Sequence, residues 1–207
     1  SASLDTLAEA GRREAVDLFA LSGDLAHGPL QDSERDIFDA LCAKIQALAD
    51  LAPVAIINRP PPHAAPGSLE VFEKLRADNS IIILRPGRMY FLRLSDYGGS
   101  IDDEWSKATG ALLCGIPEPQ KKWLLSGATE ATGKDDADGQ VRAAMRSLCL
   151  GLGAMRREHS ELPCVVLYHG EVVGAKSATG YGAEAGTGIA ITRDDLAAIG
   201  ADYYALG

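Results

Sequence analysis

The chain has 207 residues, 46% of them hydrophobic and 24% charged, with a formal net charge of −9. That length holds one well-cored domain or two very small ones, and the composition is ordinary for a globular protein in water. The excess of acid counts against a free-standing nucleic-acid-binding module; if the chain handles DNA, metal ions or a partner must supply much of the positive charge.

Residues 4 to 15 have a helical composition with an apolar face through Leu4, Leu7 and Ala8. Val16 to Leu21 is nearly continuous in apolar residues, as a strand covered on both faces reads. It stops at Gly23-Asp24, and a loop carrying His27 follows. A buried strand that ends in a carboxylate puts that group at the carboxyl edge of a sheet, where open α/β folds place their ligands. Ser33 and Asp36 form a capping-box pattern, and Ile37, Leu41, Ile45 and Leu48 mark one stripe of a helix to about Asp50. After Pro53, Val54 to Ile57 is a second buried strand, which completes a right-handed βαβ unit.

That strand runs out at Asn58 into RPPPHAAPG, a stiff loop carrying His63, because three consecutive prolines continue neither ladder nor helix. A helix is expected over SLEVFEKLRA from Ser68. Ile81–Leu84 and Met89–Leu94 flank Arg85-Pro86-Gly87-Arg88, whose Pro-Gly order suits a type II turn and predicts an antiparallel hairpin. Residues 95 to 111 are polar and carry no periodic signal. Leu112–Ile116 reads as a strand, residues 126 to 139 as a surface loop, and Gln140 to His159 as a long helix. Pro163 to Tyr168 is a buried strand ending at His169-Gly170, and residues 174 to 188 are a glycine-rich loop. Thr192 and Asp195 cap a short helix to Ile199, and Asp202 to Leu206 is a last strand.

No apolar run approaches the ~20 residues of a bilayer span, and Ser1-Ala2-Ser3 opens no signal-peptide pattern. Cys42, Cys114, Cys149 and Cys164 lack CxxC spacing and read as reduced packing residues of a cytoplasmic protein.

Three strands thus end in chemically useful groups: Asp24, the His63 loop and His169. Asp and His suit Mn²⁺, Fe²⁺ or Zn²⁺, and two such ions about 3.5–4 Å apart clamp a phosphate and activate water. A Gly-Asp after a strand also serves as a turn or helix cap, and a lone His at a strand end as a packing residue. Spacing alone leaves both readings open.

GDLAHG at 23–28, the SLEVFEKL segment after a His-containing loop, LYHG at 167–170 and DYYALG at 202–207 resemble the calcineurin-like metallophosphoesterase superfamily. The likeness is greatest to its DNA-repair exonuclease (SbcD-like) branch and runs in order over nearly the whole chain. It implies an α/β fold, a metallophosphoesterase-type four-layer α-β-β-α sandwich with mixed sheets, with residues 1–207 as a single domain. It also implies a site for two divalent metal ions, Mn²⁺ first, with Fe²⁺, Zn²⁺ or Mg²⁺ as alternatives. By the same resemblance Asp24 is the bridging carboxylate, His169 a metal ligand and His63 the group that protonates the leaving oxygen. His27 stands where that branch carries a phosphate-facing His; an exposed loop His is the other reading.

The chain departs from the family pattern in two places. The family's opening Asp-x-His and its closing Gly-His-x-His have no counterpart before Ser3 or beyond Gly207, as expected of a portion of a longer enzyme; lost metal chemistry is the alternative. Around His63, Pro62 replaces a ligand and Ala64 an orienting Asp; in another register Asn58 takes the ligand position, followed by Arg59 and Pro60. Both registers stay open.

The implied activity is phosphodiester hydrolysis of the DNA exonuclease type by metal-activated water. The alternatives are a small-substrate phosphatase or nucleotide phosphodiesterase, mildly favoured by the acidic charge, and a catalytically inert scaffold that binds an ATPase. The implied partners are DNA or another phosphodiester, an SMC-like ATPase and a second copy of the chain, with no membrane.

Overall fold

The computed structural model describes residues 2–23, 25, 35–57, 69–118, 134–175 and 190–207. In chain order their elements are α1 (Ala2–Glu14), β1 (Phe19–Leu21), α2 (Arg35–Ala49), β2 (Val54–Ile57), β3 (Ile81–Leu84), β4 (Tyr90–Ser95), β5 (Gly98–Asp102) and β6 (Thr109–Ile116). There follow α3 (Lys134–Glu158), β7 (Cys164–Tyr168), α4 (Arg193–Ala197) and β8 (Tyr203–Leu206). The protein is α/β. One sheet is wholly parallel, in the order β1-β2-β3, and the other is mixed, in the order β5-β4-β6-β7-β8.

Side chains alternate faces along a strand, and here that alternation sorts the apolar residues into three cores. Ala55, Ile57 and Leu84 of the parallel sheet meet Tyr90, Leu92, Leu113 and Leu167 of the mixed sheet, so the sheets pack face to face. The intervening residues Phe19, Leu21, Val54, Ile56, Ile81 and Ile83 turn the other way, onto α1 and α2. Phe91, Leu112, Cys114, Val166 and Tyr168 likewise turn outward, onto Val141, Met145, Cys149 and Leu152 of α3. Gly115 shows how closely the sheets approach, since a Cβ there would lie 2.7 Å from the Cβ of Leu84.

Side-chain and backbone hydrogen bonds close one flank of this interface. The Ser80 amide donates to the Gly99 carbonyl at 3.2 Å, and the Ser80 Oγ accepts from the Ile101 amide at 2.7 Å. β3 pairs only with β2 among the described residues. Glu73 covers part of its open edge: Oε1 accepts the Ile83 amide at 2.9 Å and Oε2 pairs with Arg85 at 3.3 Å. A charged side chain in that place blocks a foreign strand from pairing there.

The β1-α2-β2 unit is parallel, as expected. The hairpin expected at 81–94 does not form: β3 pairs with β2 and β4 with β5 and β6, in different sheets. The turn itself exists, with Gly87 at φ +75°, but it carries the chain across the sandwich. Both strands have an apolar face directed at the other sheet, so facing each other buries more than lying side by side. In place of the helix expected from Ser68, the described part of the segment holds one 3-10 turn at Phe72–Lys74. Phe72 is buried and Glu73 is spent on β3, which ties this turn to the sheet rather than to a longer helix.

The patternless stretch 95–111 contains β5, hairpinned to β4 around Asp96-Tyr97, and the start of β6. α3 begins at Lys134, inside the expected loop. On α1 the buried face is Leu4, Ala8 and Gly11, while Leu7 is exposed; on α2 Ile37 is exposed and Phe38 packs inward. The capping box at Thr192 and Asp195 is present. Ser33, most of the glycine-rich loop at 174–188 and the 126–133 part of the expected surface loop lie outside the described residues. The four cysteines are unbridged, with Cys114, Cys149 and Cys164 buried. No helix among the described residues is long and apolar enough to cross a membrane.

Candidate functional site

The carboxyl ends of β1, β7 and β8 converge. β6, β7 and β8 run parallel, so Ile116, Tyr168 and Leu206 finish at one edge of the mixed sheet. The first residue past β7 is His169, whose amide donates to the Ile116 carbonyl at 3.1 Å. Its ring reaches across to the other sheet. Nδ1 lies 3.1 Å from the carbonyl oxygen of Ser22, the first residue past β1 and 147 positions earlier in the chain.

A carbonyl oxygen can only accept, so in this contact Nδ1 carries a proton and donates it. Histidines that bind metals are oriented in this way, one nitrogen donating to a carbonyl or carboxylate while the other faces the ion. Gly170, at φ +148°, lets the backbone turn directly after the histidine. The Tyr168 hydroxyl donates to the Glu171 carbonyl at 2.9 Å and pins the far side of that turn. Burial, together with Cys149, Glu118 and Glu171 nearby, pushes this phenol above its ordinary range, so it stays a neutral donor.

Two carboxylates that the sequence reading passed over belong to this edge. Glu118 follows β6, and Glu171 lies two residues beyond His169. Oε2 of Glu171 is buried without a hydrogen-bond partner among the described residues. A buried carboxylate oxygen lacking a donor is expensive in an apolar setting and is relieved by a cation. The available signal was proximity: Glu171 follows His169-Gly170 directly in the sequence.

Of the predicted site residues, His169 is described; Asp24, His27, Asn58 and His63 lie outside the described residues. Of their described neighbours in the sequence, Gly23 lies two residues past the end of β1 and Ile57 ends β2; these strands are parallel, with Leu21 opposite Ile56, so both lie at one edge of the parallel sheet. Among the described residues no group of three His, Cys, Asp or Glu side chains is gathered closely enough to hold a metal ion.

A groove of about 360 Å³ lies elsewhere, at the opposite end of β7, lined by Arg88, Met89, Phe91, Asp103, Met155 and His159 among others. The His159 ring stacks on Trp105 at 5.6 Å and meets Phe91 edge-on at 5.5 Å. No predicted site residue lines it.

No family model matches the chain, and no curated protein matches it at a significant level.

Proposed function

We propose that the chain is a metal-dependent phosphoesterase with the four-layer α-β-β-α architecture of the metallophosphoesterases, acting on phosphodiesters in the manner of a DNA exonuclease. The observation that carries this reading is the bond between His169 Nδ1 and the Ser22 carbonyl. It supports a site shared by the ends of β7 and β1, two residues short of Asp24 in the sequence.

In this reading Asp24 and His169 hold the metal, with Asn58 as a further ligand in one register. His63 supplies a proton to the departing oxygen and His27 faces the phosphate. Two divalent ions, Mn²⁺ first, would supply positive charge to grip the phosphate and to acidify the attacking water. They would also offset the net charge of −9 that otherwise opposes an anionic substrate. That same charge favours, within the enzyme reading, a small phosphodiester over a long polyanion unless a partner such as an SMC-like ATPase supplies the basic surface.

Calorimetric titration with Mn²⁺, followed by turnover of bis-p-nitrophenyl phosphate and of linear DNA, tests the proposal. The expected result is two equivalents of Mn²⁺ bound by the full-length chain and turnover that Asp24→Ala or His169→Ala abolishes. Turnover of the small ester without DNA degradation selects the small-substrate alternative. Absence of Mn²⁺ binding by the full-length chain overturns the enzyme reading in favour of a scaffold.

A further inference from the structure

We infer that the groove at the end of α3 is a binding site for a small organic cation with an apolar body, of the quaternary ammonium class. It lies at the far end of the mixed sheet from the site proposed above and does not depend on that reading. Phe91 stands opposite Leu112, and Leu112 opposite Cys164, the first residue of β7, whereas His169 follows the last. Four segments close around the groove: the Gly87-Arg88 turn, the start of β4, the residue after β5 and the last turn of α3. Its volume of about 360 Å³ falls within the ~300–1,000 Å³ of small-molecule sites.

The walls suit an apolar body. Met89 and Phe91 are buried, 6% and 7% exposed, and Met155 joins them from α3. The Phe91 and His159 rings meet edge to face at 5.5 Å, and Trp105 stacks on His159 at 5.6 Å, so each ring holds the next in place. Aromatic π density attracts a cation, and methionine thioethers give polarizable contacts that adapt to its shape.

Charge decides what that body carries. Asp103 and Glu158 line the groove with one guanidinium, Arg88, which pairs with Asp103 at 3.3 Å on the exposed rim. Glu158 makes no ion pair among the described residues, so one negative charge is left over. Glu158 also ends a 25-residue helix, and the helix dipole is negative at that end. Arg156, in the same turn, is taken up by the His159 carbonyl and by Asp202. An anion would therefore meet two carboxylates and one guanidinium already paired. A divalent ion would find no group of three ligand side chains among the described residues, and would lose its water against Met89 and Phe91. A cation whose charge is spread under methyl groups gives up little hydration, covers the apolar wall and balances Glu158.

The chain has three methionines, two of them in the groove and the third, Met145, in the core beneath α3. Choline and its uncharged isostere 3,3-dimethylbutan-1-ol, titrated separately into the chain labelled with ¹³C at the methionine methyls and matched in ionic strength, test the assignment. Choline is expected to shift the Met89 and Met155 signals to saturation and to leave Met145 in place. The alcohol is expected to bind about 5-fold more weakly or worse, because it lacks the charge that the rings and Glu158 attract. Equal affinity for the two ligands overturns the inference, as does a choline titration that does not saturate or that moves Met145 alone. Glu158→Gln, on an exposed side chain, is expected to weaken choline about 2–5-fold and to leave the alcohol unchanged. Choline affinity that ignores this substitution refutes the charge argument.

Discussion

Gly115→Ala measures how tightly the two sheets are pressed together. The added Cβ would lie 2.7 Å from the Cβ of Leu84 and 3.3 Å from its carbonyl oxygen. Carbon atoms rest about 3.5–4.0 Å apart, so the sheets must part locally by about 1 Å or β6 must buckle. Neither neighbour is the tip of a flexible side chain, and Leu84 is fully buried. Overpacking of this kind costs about 1–3 kcal/mol. Removing a glycine from the unfolded chain returns about 0.4–1 kcal/mol. The net expectation is a loss of about 1–2 kcal/mol, or about 2–8 °C in Tm for a chain of this size.

Gly151→Ala is the internal comparison. It lies in α3, where a Cβ meets nothing within 4 Å, so it is expected to gain about 0.5–1 kcal/mol. Urea unfolding of the parent and both variants, followed by circular dichroism, gives the midpoints at a common slope. A Gly115→Ala variant as stable as the parent, or two variants that shift in the same direction, would refute the close-approach argument.

Arg156→Met is expected to destabilise the fold by about 1–3 kcal/mol, because it removes a bond to a carbonyl from a charged donor. Nη1 of Arg156 donates to the His159 carbonyl at 2.6 Å, while its side chain is only 11% exposed. Asp202→Asn should cost less than about 1 kcal/mol, since its ion pair with Arg156 is solvent-screened. The Asp202 side chain is 59% exposed, and Asn keeps an oxygen for the Cys164 amide. Equal losses in the two variants by urea denaturation would contradict this division.

Burial pushes the Cys149 thiol from 9.0 up to about 11. Between those values the unfolded chain releases a proton that the folded chain keeps, so stability falls as pH rises through this window. The share due to Cys149 is about 2 kcal/mol by pH 10.5. Urea midpoints at pH 8 and 10.5 should therefore diverge less for Cys149→Ala than for the parent; parallel losses would show that other groups carry the alkaline slope.

Legibility followed the range of the physics involved. The continuous apolar runs Val54 to Ile57 and Cys164 to Tyr168 announce buried strands, because a short apolar run is set by side-chain type within a few residues. The same holds for the Thr192 cap, a contact between residues three apart. β5 went unseen because Gly98, Gly99 and Ser100 have little strand propensity of their own. Pairing with β4 holds them, and the Gly99 and Ile101 amides donate to Asn79 Oδ1 and Ser80 Oγ.

By itself, the sequence determined which segments seek burial, where the strands stop, and that His169 stands at one of those stops, since each depends on residues adjacent in the chain. Only the tertiary structure decided that β3 and β4 belong to different sheets, that Glu73 guards the edge of β3, and that Ser22, His169 and Gly207 meet. Those outcomes depend on what stands opposite each residue once the layers pack. A glycine at the end of β8 is an ordinary residue in the linear chain, and becomes indispensable only where another strand's carbonyl fills the space of its missing side chain.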